Sequence, residues 1–243
     1  METFYGEDLA HVHHAGFGGF ATGAAPGLLA MLRSAGIPGG LVVDLGCGSG
    51  LWARALLDAG YSVLGVDRSP AMIRAARAVA PGARFVEASL HGVEIPPCAA
   101  VTGIGEGLGY LGAEDPRDTL PGLFARVHGA LDPGGLLVFD VVLRSAARPV
   151  RYRSVREGEG WRVETEVEED PGASLLTRRI ATMRSVDGDE RRGGETHRVR
   201  TFARAELERM LRDAGFTVRV HRRYGGMPLA PGRLAFRARR PPR

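Results

Sequence analysis

Lysine, asparagine and glutamine are absent from this 243-residue chain, so all 32 of its basic residues are arginines. Without lysine the protein has no residue for a Schiff base and no lysine for a phosphate-binding P-loop. Without side-chain amides it also lacks the groups that read adenine edges in nucleic acids. Any proton transfer must therefore be carried out by histidine, a carboxylate, tyrosine or cysteine.

Cysteines and long apolar runs are scarce as well. The two cysteines, Cys47 and Cys98, have no partner at the spacing of a metal site and are too few for a disulfide framework, so we expect free thiols. No apolar run reaches the roughly 18 to 20 residues of a membrane span. The N-terminal sequence METFYGEDLA lacks the pattern of a signal peptide. We therefore expect a cytoplasmic protein with no membrane partner.

The net charge of +4 is modest because 28 acidic residues are interspersed among the arginines. The basic excess lies late in the chain, in RRGGETHRVR (191 to 200) and RLAFRARRPPR (233 to 243). Such segments contact RNA or anionic lipid in some proteins but more often form a solvated surface.

Helical and strand-like patterns alternate between residues 28 and 142. Strands are predicted at 41–45, 61–67, 83–88, 99–104 and 134–142, and helices at 28–37, 52–60, 69–80 and 117–131. Alternation of this kind implies right-handed crossovers and a parallel sheet. The pattern therefore predicts an α/β fold with helices on both faces of the sheet.

The periodicity falls to two between about 148 and 202, with turn sequences at 170–172 and 187–189. We interpret this segment, 148–202, as an antiparallel cap of three or four strands inserted into the α/β chain. A helix at 203–215 and strands at 216–224 and 232–240 follow it. The whole chain, 1–243, is then one domain.

The sequence VVDLGCGSG (42–50) is a glycine-rich loop that follows a predicted strand. Its glycines, Gly46, Gly48 and Gly50, are spaced G-x-G-x-G. A dinucleotide fingerprint requires G-x-G-x-x-G, and the position of its third glycine is occupied by Leu51 in this chain. Asp44, two residues before the first glycine, would repel a pyrophosphate and attract an amino group.

The next predicted strand ends in Asp67, where a carboxylate can accept both hydroxyls of a ribose. The two acidic residues and the glycines together favour a nucleoside with a positively charged tail. S-adenosylmethionine fits, because it has a ribose, an α-ammonium group and a sulfonium but no phosphate.

Six segments together resemble the class I S-adenosylmethionine-dependent methyltransferases. They are VVDLGCGSG (42 to 50), VLGVDRSPAMI (63 to 73), FVEASL (85 to 90), AAVTGIGEGLGYL (99 to 111), LDPGGLLVFDV (131 to 141) and FARAELERMLRDAGF (202 to 216). The resemblance covers most of the chain from about 40 to 239. It implies a Rossmann-like seven-stranded sheet with a reversed last strand, and S-adenosylmethionine bound over the carboxyl ends of the first strands. It also implies methyl transfer, with S-adenosylhomocysteine as product.

By position, the resemblance assigns donor contacts to the glycine loop and to the loops after the next strands. Asp44 and the backbone of Gly46 to Gly50 would hold the methionine part, and Asp67 the ribose. The other candidates are Arg68 and Met72 beside the adenine, Ala88, Ser89 and Leu90 at its edge, and Gly103 near the ammonium. The family often has an acidic residue at position 88 or 89, so we expect backbone groups or Ser89 to contact the adenine. Cys47 is common in such loops and is expected only to pack.

Two acceptor candidates follow the fourth strand, where members of this family place acceptor-facing residues. Glu106 is a candidate for contact with the acceptor or its proton, and the alternative is a helix-capping or solvated carboxylate. Tyr110 is expected to form part of the wall.

Residues 1–38 are expected to form a helical lid, because methyltransferases of this size often fold the segment before the first motif across the donor. Tyr5, His14 and Phe17 are then candidates to cover the methionine end or the acceptor, and His14 is a candidate base. We expect no metal, because His13 and His14 are adjacent and diverge, and no acidic residue completes a ligand spacing.

Alternation in THRVRTF (196 to 202) puts His197, Val199 and Thr201 on one face of a strand, and Arg198 and Arg200 on the other. If the histidine face points inward, His197 can reach the acceptor. If the arginine face does, Arg200 can bind an acceptor carboxylate. Ordinary sheet surface is the alternative for both.

The sequence therefore predicts methyl transfer by in-line displacement to an amine, hydroxyl or carbon of a small molecule, in a monomer or homodimer. A strand-rich cap at this place resembles sugar amine and amino acid N-methyltransferases. The chain has GIGE where DNA amino-methylases need (N/D)-P-P-(Y/F), and we expect no nucleic-acid partner. The alternatives are an RNA methyltransferase, a donor-binding protein without catalysis and, more distantly, a nicotinamide dehydrogenase.

Overall fold

The computed structural model describes residues 4–112, 115–145 and 148–242, with only the backbone of residue 117. Its helices are α1 (Glu7–Phe17), α2 (Gly19–Ser34), α3 (Leu51–Asp58), α4 (Pro70–Val79), α5 (Pro116–Ala130) and α6 (Arg204–Asp213). Its strands are β1 (Leu41–Leu45), β2 (Ser62–Asp67), β3 (Arg84–Glu87), β4 (Cys98–Gly103), β5 (Leu131–Val142), β6 (Arg151–Gly158), β7 (Trp161–Asp170), β8 (Leu175–Val186), β9 (Asp189–Arg200), β10 (Thr217–His221), β11 (Arg223–Tyr224), β12 (Met227–Pro228) and β13 (Arg233–Arg239).

The central sheet has seven strands in the order β10, β13, β5, β4, β1, β2, β3. The pairs among β1 to β5 are parallel, whereas β13 is antiparallel to both β5 and β10. The prediction of a mostly parallel α/β sheet with a reversed last strand is therefore confirmed.

Apolar side chains form a core on each face of this sheet. On one face, α2 and α3 cover a core that includes the fully buried rings of Trp52 and Tyr224. On the other, α5 and α6 cover Phe139 and Phe236, whose rings stack at 5.3 Å. The two cores hold the strands in register and so fix the loops at their carboxyl ends.

The cap is a separate four-stranded antiparallel sheet in the order β6, β7, β8, β9. Alternation along its strands buries one face, because Val163, Val167 and Leu176 are inside while arginines and glutamates cover the outside. His197 and Val199 are fully buried, whereas Arg198 is exposed. The histidine face predicted for this segment therefore points inward.

The N-terminal helices α1 and α2 meet at Gly18. Leu9 and Val12 of α1 pack against Val163 of the cap. Within the described ranges no single helix is long and apolar enough to cross a membrane. The helices α1 and α2 pass that test only as a pair, and they are bent by 59°.

Most predicted bounds lie within a few residues of those observed, and the two clear differences have local causes. The predicted helix 28–37 begins earlier and ends at Ser34, because Gly36 turns the chain with a φ of 80°. The predicted strand 216–224 ends at His221, since Gly225 has a φ of 55° and the chain forms the short β11–β12 hairpin.

Gly27 allows α2 to touch that hairpin, so we expect Gly27→Ala to destabilise the fold. An added Cβ would lie 2.3 Å from the backbone carbon of Tyr224. Overpacking of this kind costs about 1 to 3 kcal/mol of the free energy of unfolding. Gly19→Ala is the matched control in the same helix, because nothing lies within 4 Å of its added Cβ. Urea denaturation of both variants measures the difference, and equal midpoints would contradict the close contact.

Candidate functional site

The glycine loop lies between β1 and α3, at the carboxyl edge of the sheet. Gly46 and Gly48 have φ angles of 75° and 52°, in the left-handed region that favours glycine. A Cβ on Gly48 would meet nothing within 4 Å, whereas one on Gly50 would lie 2.8 Å from the Cα of Ala76. The backbone of Gly48 therefore leaves room for a ligand, and Gly50 allows α3 to pack on α4.

The carboxylate of Asp67 is fixed beside this loop by backbone groups. Its Oδ2 accepts the N–H of Gly48 and its Oδ1 accepts the N–H of Ser69, both at 2.9 Å. Burial raises the pKa of Asp67, and these two hydrogen bonds oppose that rise. A carboxylate has about four lone pairs, so Asp67 can still accept bonds from ligand hydroxyls.

Asp44 is buried beneath the loop. Its Oδ1 accepts the hydroxyl of Thr102 at 2.7 Å, and the Thr102 oxygen accepts Nε1–H of Trp52 at 3.1 Å. Burial, with a smaller contribution from the charge of Asp67, raises the pKa of Asp44 to about 7. Two carboxylates beside an open glycine backbone fit a cationic ligand with hydroxyl groups better than a pyrophosphate.

The first helix lies across the glycine loop. Nδ1 of His14, in α1, is 2.9 Å from Oγ of Ser49 in the loop. Residues 4–6, which we call the strap, precede α1, and the hydroxyl of Ser69 donates to the carbonyl of Tyr5 at 2.7 Å. Tyr5 has a φ of 50°, so this contact holds the strap in a conformation that a tyrosine rarely adopts.

Four rings from the strap, the loop after β4 and strand β9 form what we call the aromatic cluster: Phe4, Tyr5, Tyr110 and His197. The hydroxyls of Tyr5 and Tyr110 are 2.8 Å apart. The His197 ring stacks on Phe4 at 5.3 Å and lies 4.9 Å from Tyr5 and 5.6 Å from Tyr110. The cap, the strap and the central sheet therefore meet at this cluster.

Titratable side chains in this region are kept neutral. His13 lies 5.1 Å from the Tyr5 ring, and within the described part of the chain its Nδ1 has neither a hydrogen-bond partner nor contact with solvent. Burial, with a smaller contribution from His14, lowers the pKa of His13 to about 4. Burial and the neighbouring Tyr110 raise the pKa of Tyr5. At neutral pH the His13 imidazole is therefore uncharged and the Tyr5 hydroxyl keeps its proton.

A row of charges adjoins the aromatic cluster. Glu106, with a φ of 70°, forms ion pairs with Arg178 of the cap and Arg233 of β13. Arg178 also donates to the Tyr110 hydroxyl at 3.2 Å. Asp140 accepts the backbone N–H of Glu106 at 3.1 Å, and its pKa is raised to about 6 by burial and by the charge of Glu106.

Comparison with known proteins finds a family model and solved structures that this chain resembles. Residues 42–135, which include the glycine loop and Asp67, match a family model described as a methyltransferase domain. The same fold occurs in an S-adenosylmethionine-dependent methyltransferase from Clostridium acetobutylicum ATCC 824, with a TM-score of 0.80 and 15% identity over 96% of this chain and 97% of that one. Residues 42–135 therefore match a methyltransferase domain, and the chain has the fold of an S-adenosylmethionine-dependent methyltransferase.

Two further solved structures share this fold over nearly the whole chain. CalS10, an amino pentose methyltransferase from Micromonospora echinaspora, has a TM-score of 0.76 and 20% identity over 99% of both chains. KedS8, a sugar N-methyltransferase from Streptoalloteichus sp ATCC 53650, has a TM-score of 0.78 and 18% identity over 99% of this chain and 97% of that one. No curated protein sequence matches this chain.

The structure gathers the predicted donor residues at the carboxyl edge of β1 to β4. The guanidinium of Arg68 lies 4.5 Å from the centre of the Phe4 ring, and Met72 is buried beside Tyr5. Ala88, Ser89 and Leu90 follow β3, and Gly103 ends β4. Cys47 is buried with a raised thiol pKa, caused chiefly by burial, which agrees with a packing role. The contacts of these residues with a donor remain predictions.

Two of the acceptor candidates, Arg200 and Glu106, already have charged partners within the protein. Because His197 points inward, strand alternation puts Arg200 on the opposite face of β9. The Arg200 guanidinium pairs with Asp115 and donates to the Ser174 carbonyl at 3.2 Å. The structure does not bring Arg200 to the aromatic cluster, and its contact with an acceptor stays a prediction. Glu106 lies beside the cluster and is buried, with ion pairs to Arg178 and Arg233; its contact with the acceptor stays a prediction.

Sequence reasoning missed Arg178, Glu195 and Asp140. Arg178 and His197 are paired in register across β8 and β9, and Glu195 shares a face with His197 because it lies two residues away on the same strand. Strand alternation therefore carried a signal for the inward direction of Glu195. The pairing of Asp140 with the loop after β4 has no local sequence signal.

The raised pKa of Asp44 has a consequence for stability. The Asp44 carboxyl has a pKa of about 7 in the folded state and about 3.9 in the unfolded state. The fold is therefore more stable when this carboxyl is protonated than when it is ionised. That contribution is present below the unfolded pKa and is lost as the pH rises through the folded value. We therefore expect the free energy of unfolding of the unmodified protein to fall, relative to that of Asp44→Asn, between about pH 4 and pH 8. Urea denaturation across this range measures it, and a constant difference would exclude the shift.

Proposed function

We propose that the protein transfers a methyl group from S-adenosylmethionine to an amine of a small molecule. The observation that carries this proposal is the meeting of α1 and the strap, the glycine loop and the inward face of the cap around the aromatic cluster. In this proposal the donor binds beside Asp67, next to a wall of aromatic and histidine side chains.

S-adenosylmethionine supplies a methyl group on a sulfonium: a nitrogen lone pair forms the new N–C bond, the C–S bond breaks with its electron pair going to sulfur, and the methylated nitrogen then releases a proton. In this chain, Asp67 accepts the ribose hydroxyls. Asp44 and the glycine loop favour the cationic methionine end. His14, through Ser49, and the strap cover the loop, so within the predicted lid, 1–38, residues 4–17 act as a cover, whereas α2 packs on the central sheet. Residues 1–3 lie outside the described ranges.

The acceptor lies against the aromatic cluster in this proposal. In-line transfer requires that the reacting atoms be aligned at about 3 to 3.5 Å with water excluded. Phe4, Tyr5 and Tyr110 exclude water, and Arg178 orients the tyrosine hydroxyls by donating to Tyr110. His197 supplies a ring nitrogen to the amine N–H.

Two observations support a small amine over RNA. The fold neighbours CalS10 and KedS8 are an amino pentose methyltransferase and a sugar N-methyltransferase. In addition, arginines on the outer face of the cap are paired with glutamates, including Arg153 with Glu164 and Arg179 with Glu168. Paired charges supply little of the counterion release that drives RNA binding.

The function is tested with S-adenosylmethionine carrying a ¹³C-labelled methyl group and a panel of small amines that includes amino sugars. We expect mass spectrometry to show the label on an amine. His197→Phe keeps a ring against Phe4 but removes the nitrogen, and should lower the rate by about 100-fold or more with unchanged affinity for S-adenosylhomocysteine. Label on RNA, with binding that weakens steeply with salt, would favour the alternative.

The donor site is tested separately by calorimetry with S-adenosylhomocysteine. Asp67→Asn removes the charge that accepts the ribose hydroxyls, and hydrogen bonds to a charged group contribute about 1.5 to 3 kcal/mol each. We therefore expect its affinity to fall by about 10- to 100-fold. Asp58→Asn, at the exposed end of α3, is the control and should bind like the unmodified protein. Tight binding of NADH, or none of S-adenosylhomocysteine, would contradict the proposal.

A further inference from the structure

Glu195 connects the strap to the cap. Its Oε1 accepts the N–H of Gly6 at 2.8 Å, and its Oε2 accepts the N–H of Tyr5 at 2.7 Å. The same Oε2 lies 2.7 Å from Nε2 of His197. One carboxylate thus receives two hydrogen bonds from the strap and one from the histidine of the aromatic cluster.

This geometry determines which nitrogen of His197 carries the proton. An ionised carboxylate only accepts hydrogen bonds, so Nε2 of His197 must be the protonated nitrogen. In the neutral ring Nδ1 then has a free lone pair. Among the described residues that atom has no hydrogen-bond partner, it has no solvent contact, and the His197 side chain is fully buried. A buried acceptor of this kind is costly unless a ligand group binds it.

The strap is needed to keep water from this pair. Phe4 stacks on the His197 ring and Tyr5 lies against its edge, so removal of the strap would expose both Glu195 and His197. The other side of the strap is held by Ser69, two residues after Asp67. The remaining polar groups around the cluster are His13 of α1, Tyr110 after β4, and Arg178 of β8, which is paired with Glu106.

We infer that Glu195 is a positioning residue that ties closure of the strap to the orientation and tautomer of His197. With the strap closed, Glu195 holds His197 with Nδ1 unprotonated, ready to accept a hydrogen bond from the amine and the proton that the methylated nitrogen releases. The inference rests on the proposed methyl transfer to an amine, and it assigns to Glu195 a role that the donor site does not require.

The test is nitrogen-15 NMR of histidine-labelled protein, free and with S-adenosylhomocysteine, combined with amide hydrogen exchange. In the complex we expect His197 as the Nε2–H tautomer. Glu195→Gln replaces one acceptor oxygen with a donor, so we expect a mixture that includes the Nδ1–H form. The amides of Tyr5 and Gly6 should exchange about 10-fold faster or more, since each loses a bond to a charged group.

Two further variants separate positioning from folding. Glu195→Asp keeps the carboxylate and should restore the Nε2–H tautomer, which keeps the test decisive if Glu195→Gln does not fold. Glu190→Gln changes an exposed glutamate of the same strand, paired with Arg192, and should alter neither the tautomer nor the exchange of Tyr5 and Gly6.

Two results would overturn the inference. One is an Nδ1–H tautomer in the unmodified protein. The other is faster exchange of the strap amides in Glu195→Gln with the His197 tautomer unchanged. Glu195 would then hold the strap without setting the tautomer of His197. Failure of S-adenosylhomocysteine to bind would instead count against the proposed function, and the tautomer would still be measured in the free protein.

Discussion

The hydrogen bond between Thr102 and the buried carboxylate of Asp44 joins β1 to β4, where the order of the sheet reverses. From β1 the chain continues to β2 and β3 on one side, and then returns to β4 and β5 on the other. Loops that follow the strands at such a point diverge and leave a crevice between them. The glycine loop, Asp67 and Glu106 surround one crevice because each follows one of these strands.

The crevice alone is open on the side away from the sheet. The cap contributes His197 and Arg178, and the strap contributes Phe4 and Tyr5, so the enclosed part exists only where the two meet. Neither the cap nor the strap encloses the site by itself. The Tyr5 hydroxyl of the strap contacts the Tyr110 hydroxyl, and the Tyr5 backbone N–H donates to Glu195 of the cap. The site is therefore enclosed by contacts between parts of the chain that are nearly 200 residues apart in sequence.

Local patterns were enough to predict the sheet and the donor loop, because strand periodicity, glycine spacing and the ends of β1 and β2 are set by neighbouring residues. The residues around the aromatic cluster were harder to predict. Strand alternation put His197 and Val199 on one face and Arg200 on the other. Only tertiary packing decides which of the two faces is buried. Glu106 was predicted to contact the acceptor or its proton, or else to be a helix-capping or solvated carboxylate. Its ion pairs with Arg178 and Arg233 could not be predicted, because no local rule places their strands beside it.

The cap leaves and rejoins the central domain at a single place. Leu143, just after β5, forms a parallel bridge with Phe202, just before α6, and the N–H of Arg144 donates to the Phe202 carbonyl at 3.0 Å. The intervening residues form a cassette whose two ends are held side by side. Because its two ends lie side by side, an insertion of this design can differ in length or sequence without moving β5 or α6.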